Sequence, residues 1–147
     1  MIYLLKAEEV VEISDFAHDY WVKIGLPGTF SHESFQTYWW NLIKSGNGFI
    51  MARFSDGNPV EAIGAVVHPD IQTGELTSST VFWYITENKG LSAGLLAAAV
   101  EKHWKALGVR HSFFSVLCNE NLNTVTEFLV NNGYQLAEQQ YRKVICQ

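Results

Sequence analysis

Apolar residues recur along this chain with two different periods, and the places where one period gives way to the other mark its elements. A short strand is predicted over residues 2–5. Val10, Ile13, Ala17, Tyr20, Trp21 and Ile24 then fall near helical spacing with acidic residues between them, which predicts an amphipathic helix stopped at Gly25. Residues 26–30 read as a loop, and Ser31 as the N-cap of a second helix carrying Phe35, Tyr38, Trp39, Leu42 and Ile43 on one stripe, ended by residues 45–48. Three strands follow: one over 49–54, a second from Pro59 through Val67 after the hairpin signal Ser-Asp-Gly-Asn at 55–58, and a third ending at Thr86 after a turn around 72–75. A helix over 95–108, a strand over 111–117, a helix over 123–132 stopped at Gly133, and one long or two short strands over 134–145 complete the pattern. The helical crossover between the third strand and the strand at 111–117 requires those two to be parallel.

No repeat, linker or low-complexity tract interrupts this order, so a single domain over residues 1–147 is expected, large enough to bury roughly two-thirds of its unfolded surface. Hydrophobic residues at 48% supply ample core for that. Cys118 and Cys146 are too few for a disulfide framework, and no charged-then-apolar leader is expected before the fold, which points to a reducing, cytoplasmic setting. No apolar run approaches the roughly 18 residues of a membrane span. A net charge of −5 without clustered Lys and Arg argues against a nucleic-acid surface. The acidity is local: residues 1–40 hold two basic and six acidic side chains, a net −4. That is either a solvated helix face or a field that attracts a cationic acceptor.

The stretch from 80 to 108 carries the chemistry. Its hydrophobic strand runs through a short turn into small residues, Gly90, Ser92, Ala93 and Gly94, that open a helix. Backbone N–H groups at a helix start lack intrahelical partners and face the positive end of the dipole, and small side chains let a phosphate reach them. A nucleotide-like ligand is expected there.

With Trp83-Tyr84-Ile85 followed by Lys89-Gly90-Leu91-Ser92-Ala93-Gly94-Leu95-Leu96, and with Phe128 to Tyr134 reading as a helix that ends in Gly133-Tyr134, the element order resembles the GNAT superfamily of N-acetyltransferases over essentially the whole chain. The resemblance implies an α/β fold whose mixed, mostly antiparallel sheet of six to seven strands is flanked by about four helices. It also implies a V-shaped splay between the strands at 80–86 and 111–117. Lys89 stands at the family's Arg/Gln position, Ser92 at its first Gly and Gly94 at its second, so the N–H groups of Lys89, Gly90, Leu91, Ser92, Ala93, Gly94 and Leu95 would hold the pyrophosphate of coenzyme A. Backbone groups of Tyr84, Ile85 and Thr86 would pair with the pantetheine arm, and Asn121 is the counterpart of the family's Asn before the last helix.

The implied activity is direct transfer of an acetyl group from acetyl-coenzyme A to a primary amine, on a small molecule or on a protein or peptide. A base must remove a proton from the amine; the family's base is usually on the central strands, where Glu75, His68 and Asp70 are the candidates. Cys118 would lie near the thioester and could act as a nucleophile, and no metal is expected. Acceptor selection falls to the first two helices and the 25–30 loop, with His18, Asp19, Tyr20, Trp21, Phe30, His32, Tyr38 and Trp39; aromatics beside acids would suit a cationic amine. Ser92, a shortened turn before Lys89, and Leu129 at the family's Tyr position support an alternative: a GNAT-like domain serving as a structural or assembly component, or as a coenzyme A-binding module. A homodimer or a place in a larger assembly is compatible with either.

Overall fold

A computed structural model describes residues 1–86, 91–117 and 122–146, and of residues 91–93 the backbone alone. The described elements are β1 (Ile2–Leu4), a 3-10 segment (Ala7–Ile13), α1 (Ser14–Ile24), α2 (His32–Ser45), β2 (Gly48–Ser55), β3 (Asn58–Pro69), β4 (Leu76–Ile85), α3 (Leu91–Leu107), β5 (His111–Phe113) and α4 (Leu122–Asn131). Their boundaries follow local chemistry. Gly25 and Gly46 close α1 and α2 with φ of 66° and 75°, and the Ser31 hydroxyl accepts the Ser34 N–H at 3.1 Å to cap α2. Asp56 and Gly57 both take positive φ, the conformation of a two-residue hairpin whose twist matches the flanking strands.

The five strands lie in the order in which they occur, β1 to β4 antiparallel and β5 parallel to β4. One face of the sheet packs Ile63, Val67, Trp83 and Ile85 against Leu96, Val100 and Trp104 of α3 and Val125 and Leu129 of α4. The opposite face packs Ile50, Ala62, Phe82 and Tyr84 against Ile13, Phe16, Ala17, Tyr20 and Trp39. Gly64 sits where a side chain has no room: a Cβ there would lie 2.3 Å from a Phe82 ring carbon and 2.7 Å from Trp39. Its lack of a side chain lets the two aromatic rings close on β3.

Two expectations about strands need correction. The sheet has five strands among the described residues, not six or seven, because residues 134–146 form none. That segment offers no single apolar face: Leu136 and Val144 have one parity and Tyr141 and Ile145 the other, and all four are exposed. The strand expected over 111–117 is only three residues long. Beyond Phe113 the Ser115 N–H donates to the Thr80 hydroxyl at 2.8 Å, so a side chain takes the bond that would continue the ladder.

Glu61 is the only charged residue fully buried among those described. Trp83 Nε1–H donates to Oε1 at 2.8 Å and Arg53 Nε–H to Oε2 at 3.2 Å, which ties β2, β3 and β4 together at one end of the sheet. Burial outweighs both donors and pushes the carboxyl up to about 7.

Two measurements check this packing. Gly64→Ala should lower the free energy of unfolding in urea by about 2 kcal/mol, since both rings it meets are held by neighbours. For Glu61 the folded value lies above the unfolded one, so the native state keeps a proton that the unfolded chain loses as pH rises from about 4.5 to about 7. Stability relative to a Glu61→Gln variant should therefore fall by about 3 kcal/mol across that window and stay level above it. The comparison with the variant removes the opposite contribution of His103, whose imidazole is held below its usual value by burial.

Candidate functional site

β4 changes partners along its length. Thr77, Ser78 and Ser79 pair with His111, Ser112 and Phe113, but from Val81 onward the described residues show pairing to β3 only. At the same point the β3–β4 register slips: Ala65 opposes Thr80 and Gly64 opposes Phe82, leaving Val81 as the extra residue of a β-bulge. The slip also changes which side chains face which layer. Leu76 packs with the α3 face, and beyond the bulge that face takes the odd positions Trp83 and Ile85, while Phe82 and Tyr84 turn to α1 and α2.

A cavity of about 600 Å³ opens along this divergence. Its walls are Val81 to Ile85 of β4, Ser115 to Leu117 on the far side of the split, Val125 of α4, and residues of α1, the 26–31 loop and α2. Rings dominate the α1–α2 side. Phe82 stacks on Tyr84 at 4.5 Å, Tyr20 lies tilted against Tyr84 at 4.7 Å, Trp39 meets Phe82 edge-on at 5.2 Å, and Phe35 bridges Phe30 and Phe82 at 5.5 and 6.0 Å. Each ring fixes the next, so the wall is preorganised. The Tyr84 hydroxyl is pushed up to about 12, chiefly by burial and then by Tyr20, which keeps it a hydrogen-bond donor at any physiological pH.

The residues expected from sequence divide between this cavity and elsewhere. Tyr84 and Ile85 line it. Thr86 follows them, but its N–H and its hydroxyl both donate to Val60 O at 3.0 Å, so neither is free for a ligand. Leu91, Ser92 and Ala93 form the first turn of α3, with Gly94 and Leu95 next; Leu95 is exposed. Gly94 has a packing reason of its own, since a Cβ there would lie 2.9 Å from the Phe128 ring of α4. Lys89, Gly90, Cys118 and Asn121 lie outside the described residues. Leu129 is buried in the core beneath α4.

Glu75 and His68 are not at the cavity. They flank the β3–β4 turn, about 25 Å along β4 from Tyr84 at the rise of an extended strand. There Glu75 accepts from His111 Nε2 at 2.9 Å, and His68 Nδ1 lies 3.1 Å from Pro69 O. Asp70 shapes the same turn: it accepts the N–H groups of Gln72 and Thr73, each at 2.8 Å, which holds its carboxyl below the usual range. The N-terminal acidity is also spoken for in part. Glu9 accepts the Lys6 N–H at 2.7 Å, Glu8 pairs with Lys44, and the Asp15 and Asp19 side chains are largely exposed beside His32 and His18.

The expected splay between 80–86 and 111–117 contains Val81, Phe82 and residues 115–117, but sequence reasoning singled out none of them as a cavity wall. The usable signal was the phase of alternation in β4, which shifts between Leu76 and Trp83. Among the described residues, no group of three or more His, Cys, Asp or Glu could hold a metal ion, and no helix is long and apolar enough to cross a membrane.

No protein-family model matches the chain, and no curated protein does. Solved structures do resemble it. An aminoglycoside acetyltransferase from an uncultured soil metagenomic sample superposes with a TM-score of 0.76 at 12% identity, covering 99% of this chain and 98% of that one. A ribosomal-protein-alanine N-acetyltransferase from Brucella melitensis biovar Abortus 2308 gives 0.69 at 14% identity with 99% of both chains covered. A GNAT family acetyltransferase of Staphylococcus aureus gives 0.70 at 12%, with 99% and 98% covered. At these identities the likeness is one of architecture, and over nearly its full length this chain has the fold of the GNAT acetyltransferases.

Proposed function

We propose that this chain is an acetyl-coenzyme A-dependent N-acetyltransferase that delivers the acetyl group directly to a primary amine. The observation that carries the reading is the cavity at the split of the sheet, bounded on one side by the β4 edge from Val81 to Ile85 that β5 leaves uncovered. The residues present fit such a cofactor. An uncovered strand edge can pair with the amide groups of an extended arm as an added strand would. The first turn of α3, Leu91 to Ala93, brings backbone N–H groups without intrahelical acceptors to the same end of β4, the arrangement a pyrophosphate needs.

When bound, acetyl-coenzyme A supplies the activated acyl thioester. The chain's part is to orient, to exclude water and to meet charge. Val81, the bulge residue, lines the cavity, and a backbone N–H taken out of the ladder by a bulge could face negative charge developing on the acyl oxygen. The Tyr84 hydroxyl, protonated throughout, could donate a hydrogen bond to a departing thiolate. Glu75 and His68, distant from the cavity, receive no role as base in this reading, and the amine's proton passes to solvent at the cavity mouth. The free, exposed Cys146 thiol fits a reducing compartment.

Calorimetry with acetyl-coenzyme A tests the proposal: saturable binding is expected, and none at millimolar cofactor would end it. Leu95→Glu places a negative charge at an exposed site beside the phosphate end of α3 with no loss of core. It should raise the dissociation constant at least tenfold, about 1.4 kcal/mol, with the melting temperature unchanged.

A further inference from the structure

The notable property of the cavity wall is what it lacks. Among the described residues, every side chain that lines it is uncharged: no Asp, Glu, Lys, Arg or His takes part. The acceptor side is instead a set of packed rings, Phe30, Phe35, Tyr38, Trp39, Phe82 and Tyr84, with the exposed Ser34 at the mouth. The nearby carboxylates of Asp15 and Asp19 are turned to solvent, their side chains 97% and 81% exposed, and line no part of it.

We infer that the acceptor is an amine with an aromatic or flat apolar body and a single amino group, and not a polyamine or another polycation; the inference rests on the acetyl-transfer reading above. An ammonium group entering this cavity would lose its hydration, and the described lining offers no counter-charge to replace it. A second or third ammonium on the same molecule multiplies that cost. Cation–π contact at Tyr84 offers limited relief, because its ring is stacked on Phe82 and packed at a tilt against Tyr20. An aromatic body, by contrast, gains from each apolar surface it covers. The same desolvation lowers the pKa of the one amine that enters and favours its neutral, nucleophilic form. An uncharged wall thus does part of the work of a base, in a cavity whose described lining holds no carboxylate.

The test is calorimetric binding of 2-phenylethylamine, 1,4-diaminobutane and spermidine to the full chain, with thiol release from acetyl-coenzyme A measured on the same amines. The aromatic amine should bind at least tenfold more tightly than either polyamine. Ser34→Asp, which adds a carboxylate to the mouth at a helix N-terminal position where it does not oppose folding, should narrow that preference at least tenfold. Polyamine binding as tight as that of the aromatic amine, no binding of any of the three, or a preference untouched by Ser34→Asp would each overturn the inference. Preferential aromatic binding without thiol release would uphold the aromatic site and sink acetyl transfer. Thiol release that is equal for spermidine and 2-phenylethylamine would uphold acetyl transfer and sink the aromatic class.

Discussion

One slipped residue in a hydrogen-bond ladder organises the open end of this sheet. At Val81 the β3–β4 register gains a residue on β4 alone, and within the same few positions β5 ends. A longer β5 would have buried the β4 edge and sealed the sheet. The slip re-aims the remaining half of β4, so that Phe82 and Tyr84 face the first two helices while Trp83 and Ile85 face α3, and the space between β4 and residues 115–117 stays open.

An open sheet end needs something to hold its shape, and two contacts do so from opposite faces. On one face, Gly64 lets Phe82 and Trp39 approach β3 more closely than any side chain would permit. On the other, the Glu61 carboxyl fixes the Trp83 indole and the Arg53 guanidinium. The second is costly in solvation, and its position at the end of β4 that lines the cavity accounts for where that cost falls: it locks the wall residue Trp83 in one orientation.

How much of this was legible in the sequence depended on the range of the interaction. Ser31, Gly25, Gly46 and the Asp56-Gly57 turn were readable because each acts on its own neighbours in the chain. The parallel pairing of β4 with β5 followed from connectivity. The bulge left only a faint trace, a change of parity over the few residues between Leu76 and Trp83. The sequence placed the expected cofactor contacts at the Tyr84 end of β4, but it could not say how far the candidate bases lie from them, and the fold puts Glu75 and His68 at the opposite end. Residues 134–146 misled for a related reason: their apolar content resembles a strand's, but it is divided between two parities.

The order of strands in space is their order in the chain, and this bears on how the molecule assembles. β2, β3 and β4 are joined by tight turns and close their ladders over short separations, whereas β5 can reach β4 only after the whole of residues 86–110 has been placed. Loop-closure entropy then makes the antiparallel meander the natural early structure and the three-pair β4–β5 ladder a late one. The open edge of β4 thus faces the side of the sheet with the least cooperative support. A ligand lying along it would act as a missing strand on the side of the sheet that closes last.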